Sequence, residues 1–419
     1  MPIQMNMNQD GSFCWPPHVA RSVADHIHSE VRDMVANSRL VRKADGVALI
    51  ERSQLDVGRL LGKGAFSEVH EVRLKGTNQV YAMKHLKFKL MSQPENFRLA
   101  AAELAIEAHM LASFDHPHVM QIRGWAANGV ASFTQGRHDS FFLLLDRLDE
   151  TLDQRIQSWQ REQTFRESHR ASPNMVSDLW RRVSHQEAPS LEMQKQRDAD
   201  ERFEQQMYLE KLRVCSEIAS GLTYLHKQGV IFRDLKPNNI GFLNGRVQLF
   251  DFGLSRELPG CDLRKPFEMS GKVGTLRYMA VEVACHQPYN VSADVYSWAM
   301  VSYEVMTYQK PFSGWTRDMH ASLVCGRGVR PETHMLPHAT QAMLHSAWSQ
   351  RAHDRPTMRD VWCQTQLLHQ QEQQQHHVKV ELPHDFSIVH KTTPSRGTSE
   401  TAATMSMSMS NESSILLEL

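Results

Sequence analysis

Between residues 23 and 35 the apolar positions Val23, Ile27, Val31, Met34 and Val35 recur at helical intervals, predicting one amphipathic helix packed on the domain that follows. From Leu55 the spacing becomes strand-like, with short apolar runs broken by glycine: LDVGRLLGKGAF, SEVHEVRLKGTNQV and YAMKHLKF. A helical stretch runs from Phe97 to Phe114, and two more strands are predicted near Met120–Trp125 and Phe141–Asp146. After Leu152 the pattern is mostly helical. Strands with one long helix, followed by helices, imply an α+β chain with a small sheet-rich lobe and a larger helical lobe.

Two regions stand apart. Residues 158–205 are rich in Gln, Arg, Glu and Ser and poor in aliphatics, which predicts an exposed insert, partly disordered or helical. Beyond about residue 369 come QQEQQQHH and then a Ser/Thr/Met-rich stretch ending MSMSMSNESSILLEL, a low-complexity tail expected to be disordered. The adjacent His376 and His377 read as solvated residues of that tail, not metal ligands.

Composition narrows the function. The 419 residues carry 47 Lys plus Arg and 47 Asp plus Glu, so nothing in the charge balance calls for nucleic acid or an anionic membrane as partner. The longest apolar run, Phe141 to Leu145, is far too short to span a bilayer, and MPIQMNMNQDGSFCWPP lacks the pattern of a secretory signal. Six cysteines, at 14, 215, 261, 285, 325 and 363, contain no C-x-x-C pair. Zinc sites and a disulfide framework are therefore disfavoured, and an intracellular protein is expected, cytoplasmic with the nucleus left open.

The candidate chemistry begins at Gly62-Lys63-Gly64-Ala65-Phe66-Ser67-Glu68-Val69. Two glycines in a strand–turn–strand let backbone amides approach phosphate oxygens that a Cβ would obstruct. Ala82-Met83-Lys84 follows on a strand, where the lysine could neutralise phosphate if a carboxylate held it. Glu103 and Glu107, on one face of the next helix, are both candidates. Downstream, Ile231-Phe232-Arg233-Asp234-Leu235-Lys236-Pro237-Asn238-Asn239 offers Asp234 as a hydroxyl-proton acceptor, and Asn239 with Asp251 of Leu249-Phe250-Asp251-Phe252-Gly253 supplies hard oxygen ligands.

With these residues in this order, the chain from about 55 to 368 resembles the eukaryotic protein kinase family. Gly274-Thr275-Leu276-Arg277-Tyr278-Met279-Ala280-Val281-Glu282 is similar to the family's A-P-E segment, and Asp294 and Arg355 match two further structural positions, Arg355 being expected to pair with Glu282. The resemblance implies a bilobal kinase fold at 55–368, an N-terminal extension at 1–54 and a tail at 369–419. It implies ATP, with Mg²⁺ or Mn²⁺ held by Asn239 and Asp251, and protein substrates as partners. It places ATP against Leu61, Gly62, Lys63, Gly64, Ala65, Phe66, Ser67, Val69, Ala82 and Lys84, and against the hinge residues Leu145 (the gatekeeper), Asp146 and Leu148. Asp234, Lys236, Lys84, Glu107 and Thr275 become the catalytic set. Glu107 is preferred over Glu103 from its distance to the His116-Pro117-His118-Val119 turn. A hydrophobic spine of Leu111, Ile122, Phe232 and Phe252, anchored near Asp294, is also implied.

Four positions depart from the family pattern. Ser67 replaces the third glycine, Phe232 the catalytic-loop histidine and Val281 the A-P-E proline, and Gly241 stands where a leucine commonly lies under adenine, which should enlarge that pocket. Lys236, with Thr275 expected to bond Asp234 and Lys236, points to Ser/Thr acceptors; LFDFGLSREL and GTLRYMAVEV look most like the tyrosine-kinase-like branch. Arg233 before Asp234 suggests control by phosphorylation of the loop Leu254–Thr275, which offers Ser255 and Ser270. A pseudokinase scaffold and a dual-specificity enzyme are the alternatives.

Overall fold

The computed structural model describes residues 6–7, 13–40, 46–170, 191–260, 262–271 and 274–381. The first helix, α1 (Pro17–Asn37), forms where the apolar stripe predicts it and turns that stripe inward, with Val23 and Val35 packed partly buried on the core and Met34 alone left out. Ala20, Ala24, Ile27 and Val31 are buried, whereas Met34 is 46% exposed. Ala20 and Ala24, which the stripe did not include, share this face and let α1 lie close to its neighbour, while the bulkier Met34 stays at its edge. Trp15, just before α1, donates its indole N–H to the Met91 carbonyl at 3.0 Å.

The glycine-broken run folds into a six-stranded sheet of β1 (Ala48–Ile50), β2 (Leu55–Lys63), β3 (Ser67–Leu74), β4 (Val80–Leu86), β5 (Ile122–Ala126) and β6 (Phe142–Asp146). Its order is β1-β5-β6-β4-β3-β2. β1 and β5 run parallel, and every other neighbouring pair is antiparallel. β4 is central and buried from Ala82 to Leu86, which fixes Lys84 in the interior.

α2 (Pro94–Ala112) packs beside the sheet, with Pro94 in its first turn, where the missing N–H costs no hydrogen bond. Its buried side is largely alanine, at Ala100, Ala101, Ala102, Ala105 and Ala108, and the same face carries Glu107 inward. α1 lies against α2: Glu30 pairs with Arg98, and the Trp15 and Phe97 rings meet edge-on at 4.6 Å.

The second lobe holds β7 (Glu150–Thr151), α3 (Leu152–Arg170), α4 (Leu191–Lys227), β8 (Val230–Ile231), β9 (Ile240–Leu243), β10 (Arg246–Leu249) and β11 (Arg256–Glu257). After these come α5 (Val281–Ala284), α6 (Ser292–Thr307), a short turn running into a π-helical stretch at His320–Gly326, α7 (His338–Ala347) and α8 (Met358–Glu381). α6 is buried from Ala293 to Met306 and is the spine of this lobe. Lys211 of α4 is buried against its end, donating to the Met306 carbonyl at 2.9 Å with its ammonium 3.8 Å from the centre of the Tyr308 ring.

The Gln/Arg-rich insert is helical at both described ends. Residues 158–170 lengthen α3 and 191–205 open α4, with Arg166 stacked 3.8 Å from the Phe203 ring centre; residues 171–190 lie outside the described residues. α8 continues to Glu381, past the boundary expected at 369, and the remainder of the tail also lies outside them. No described helix is long and apolar enough to cross a membrane.

Candidate active site

Leu61, Gly62 and Lys63 end β2, Gly64, Ala65 and Phe66 turn the chain, and Ser67 opens β3, with Val69 two residues on. The turn closes through the Gly64 N–H, which donates to the Ser67 carbonyl at 2.9 Å. A Cβ on Gly64 would stand 3.0 Å from the Ser67 hydroxyl oxygen, whereas one on Gly62 would meet open space. The second glycine is therefore the sterically demanding one, and Ser67 fills the third position with its side chain against it. Lys87 donates its ammonium to the Gly64 and Ala65 carbonyls, a contact the sequence reading passed over because Lys87 belongs to no motif.

Beneath this turn three charged groups converge. Lys84 Nζ lies 2.7 Å from both carboxylate oxygens of Glu107 and 2.7 Å from Asp251 Oδ1. Glu107 is the partner, as preferred; Glu103 is only half-buried and does not reach the lysine. Burial opposes the charge on Lys84, but Asp251 and Glu107 outweigh it and raise its pKa above the ordinary lysine value. Burial raises Glu107, and Lys84 holds Asp251 below the usual carboxylate range. Asp251 adopts φ +64°, and the next N–H, of Phe252, donates to Glu107 Oε1 at 3.2 Å. One carboxylate thus joins α2, β4 and the turn after β10.

The second cluster centres on Asp234. Lys236 Nζ donates to its Oδ2 at 2.6 Å, and Asn239 Nδ2 donates to Oδ2 and to the Asp234 carbonyl, both at 2.9 Å. Thr275 donates to Oδ1 from its backbone N–H at 3.1 Å and from its hydroxyl at 3.3 Å. The bond expected from Thr275 to Lys236 is not made; the two residues are linked only through the aspartate that both bond. Arg233 holds φ +71°, a strained value for a non-glycine residue. Buried Asp294 sustains it, accepting the N–H groups of Phe232 and Arg233 at 2.8 and 2.9 Å and bonding His226 Nε2 at 2.9 Å. His226 was missed, since a lone histidine late in a helix carries no motif.

A family model described as the protein kinase domain matches residues 55–367. This chain belongs to the protein kinase family. It is 38% identical over 156 residues to the serine/threonine/tyrosine-protein kinase HT1 of Arabidopsis thaliana, covering 36% of this chain and 38% of that protein. It is 30% identical over 284 residues to ribosomal protein S6 kinase 2 alpha of Gallus gallus, covering 67% of this chain and 30% of that protein. The serine/threonine-protein kinase VIK of Arabidopsis thaliana is 29% identical over 174 residues, 38% of each chain. The chain spans less than half the length of each of these relatives.

In this chain the spine residues Leu111, Phe232 and Phe252 are buried, with Ile122 half-buried at their edge. The Phe232 and Phe252 rings meet at 5.1 Å, nearly perpendicular, so an aromatic ring fills the histidine's place. Phe114 adds a third ring 5.4 Å from Phe252, a neighbour the sequence reading did not include.

Ala82 and Leu145 face each other in register across β4 and β6, and Asp146 is clamped by Arg123 through two 2.7 Å bonds. Gly241 does not leave the expected gap. The Leu148 side chain fills it, with its Cγ 3.2 Å and the Glu150 carbonyl oxygen 3.3 Å from where a Cβ on Gly241 would sit. The apolar bulk that the family places on β9 is supplied here from the segment after β6, so the enlarged pocket expected from sequence is absent.

The segment after the D-F-G turn is tied to Arg233. Its guanidinium donates to the Leu254 carbonyl at 2.6 Å, to the Tyr289 hydroxyl at 2.9 Å and to Ser270 Oγ at 3.2 Å. Ser270 is exposed. Ser255 is fully buried, its hydroxyl donating to the Phe232 carbonyl, so it is not available for modification. Arg355 grips Glu282 through bonds of 2.6 and 2.8 Å, as expected. Val281 is the first residue of α5, the position where proline is only a convenience.

The donor set suits a hard divalent cation. Asn239 commits its amide nitrogen to Asp234, which leaves the amide oxygen to coordinate, and the Asp251 side chain is 45% exposed toward the cleft. One carboxylate and one amide oxygen, with no sulfur or imidazole, fit Mg²⁺ or Mn²⁺.

Proposed function

We propose that this chain is an ATP-dependent serine/threonine protein kinase, with a catalytic domain at 55–368, an extension at 1–54 and a tail at 369–419. The observation that carries this reading is the hold on Asp234: one carboxylate fixed by Lys236, Asn239 and Thr275, in the same site as the Lys84–Glu107–Asp251 cluster. Asp234 accepts the proton of a substrate hydroxyl as that oxygen bonds the γ-phosphorus of ATP and ADP departs. Lys236 steadies the transferring phosphoryl group, and Lys84 neutralises the α- and β-phosphates. Asn239 and Asp251 hold Mg²⁺ or Mn²⁺, which offsets phosphate charge when bound. The turn Leu61–Ser67 and Val69 cover the phosphates. Ala82, Leu145, Asp146 and Leu148 receive the adenine.

Membership of the tyrosine-kinase-like branch is supported by LFDFGLSREL and by the similarity to HT1. That relative's name covers tyrosine as well as serine and threonine, so dual specificity is the second reading. Phosphorylation of Ser270, read by Arg233, switches the enzyme on. The cysteine usage supports an intracellular site of action.

A peptide array carrying Ser, Thr and Tyr acceptors, incubated with the purified chain and labelled ATP, tests the assignment beside Asp234→Ala. Label on Ser and Thr spots that vanishes in the variant is expected. Equal labelling by both proteins, or none by either, overturns the activity; label on Tyr spots as well selects the dual-specificity reading.

A further inference from the structure

Two of the cysteines set aside as ordinary reduced thiols stand together at the foot of the activation segment. Cys285 caps the C-terminus of α5 and is exposed; Cys325 lies in the π-helical stretch His320–Gly326 and is half-buried. α5 packs on that stretch, which brings Cys285 beside Cys325. Both are free. A third group completes the cluster: His320 Nδ1 is 3.9 Å from Cys325 Sγ, and its Nε2 is buried without a partner among the described residues.

We propose that Cys285 and Cys325 form a reversible disulfide site that responds to peroxide. The exposed Cys285 thiol is the one a peroxide reaches. Its sulfur takes one peroxide oxygen, the O–O bond breaks, and a sulfenic acid and an alcohol or water result. The Cys325 sulfur then attacks the Cys285 sulfur. The S–S bond forms, the S–O bond breaks, and the hydroxyl leaves as water with the Cys325 proton. Two thiols have lost two electrons to the peroxide, and a small dithiol or glutathione reverses the step by exchange.

The surroundings suit these roles. Burial and the neighbouring Cys285 push the Cys325 thiol up to about 11, so it waits protonated, and burial keeps His320 below its ordinary value, hence neutral and able to relay that proton to the leaving hydroxyl. π-helical geometry is uncommon and tends to mark functional positions. It presents Cys325 to α5 here.

The bond would act on the kinase through its neighbours. Glu282, one turn before Cys285, holds Arg355. His286, at φ +56°, lies against Gly271, whose Cβ, if present, would fall 2.8 Å from the imidazole Cγ. Ser270 is the adjacent residue. Joining α5 to the π-helical stretch therefore restrains the strand of chain that carries Ser270.

The test uses the full chain, reduced, desalted and treated with hydrogen peroxide, then alkylated and mapped by mass spectrometry without reduction. A Cys285–Cys325 cross-linked peptide, two hydrogens lighter than the sum and released by dithiothreitol, is expected. Exposed Cys363 should be alkylated instead, and Cys285→Ser, at an exposed position, should give no cross-link and a melting temperature unchanged from the parent. Cys285 trapped as sulfenic or sulfinic acid with Cys325 still alkylated overturns the proposal, as does linkage of Cys285 to any other cysteine. This readout needs no phosphotransfer, so it is separable from the kinase assignment. Phosphotransfer measured on the same samples should fall in the peroxide-treated parent, recover with dithiothreitol, and stay constant in Cys285→Ser. A linked protein as active as the reduced one overturns the coupling to the activation segment.

Discussion

Leu148 and Gly241 are a size exchange: the leucine side chain, from the segment after β6, occupies the volume that any side chain at 241 of β9 would need. Gly241 has no left-handed φ to explain its choice. Gly241→Leu should therefore displace Leu148 and the backbone at Glu150, destabilise the protein by about 1–3 kcal/mol and raise the KM for ATP. Adding Leu148→Ala should restore much of both. Melting temperature and ATP KM on the single and double variants check this; a tighter KM in the single variant would show that space remained.

Asp251→Ala removes a carboxylate that is half exposed in the cleft, while Lys84 keeps Glu107 as its partner. The fold should hold and phosphoryl transfer should fall more than about a hundredfold, the scale of one lost electrostatic element. Single-turnover transfer together with a thermal melt measures both. Near-native turnover would contradict the role given to this residue.

Ser270→Ala should lower activity more than Ser255→Ala lowers it by loss of signalling, because only Ser270 is exposed and within reach of Arg233. Ser255→Ala should act through stability instead, since its buried hydroxyl bonds the Phe232 carbonyl. Phosphopeptide mapping of fully active protein should find phosphate on Ser270; its absence there would reject the switch.

Burial lowers Lys211 from the ordinary 10.5 to about 8 in the folded protein. Between those values the unfolded chain holds the extra proton, so stability rises with pH across that window, by up to ~1.4 kcal/mol per pH unit. Below pH 8 both states are protonated and the slope vanishes. Lys211→Met lacks this group, so the difference in stability between parent and variant should move in the parent's favour as pH climbs from 8 to 10.5. Denaturant titrations at intervals of pH measure it, and a flat difference would show that the Met306 carbonyl and Tyr308 ring fully restore the charged form.

What was legible in the sequence was the chemistry held by short spacings. Asp234, Lys236 and Asn239 lie within one loop, and Lys84, Glu107 and Asp251 each sit in a local pattern that announces a strand, a helix or a turn. What was not legible was compensation between distant segments. Nothing in the neighbourhood of Gly241 reveals that Leu148 fills its space, and nothing near Phe252 points to Phe114. The face of α1 was legible except for Met34 and the two alanines: hydropathy weights Met34 above Ala20 and Ala24, while close helix packing favours small side chains. Helix ends were also elusive, since polar Gln-rich sequence sustains α8 to Glu381 without any apolar stripe.

The chain leading out of α1 crosses to the other lobe, where Ser38 and Arg39 donate three hydrogen bonds of 2.7, 3.0 and 3.2 Å to Glu257 and Arg39 a fourth, of 2.6 Å, to the Leu258 carbonyl. α1 itself is docked on α2, the bearer of Glu107. A swing of α2 away from Lys84 must therefore unseat a 21-residue helix and loosen its anchor on β11 as well as break one ion pair. The equilibrium between inward and outward α2 is weighted by a whole interface, and a small molecule that selects the outward state loses affinity in proportion to how rarely the unaided protein visits it. The same compound would gain that affinity back on a chain shorn of its first forty residues, making the amino-terminal boundary of an expressed protein a variable in its pharmacology.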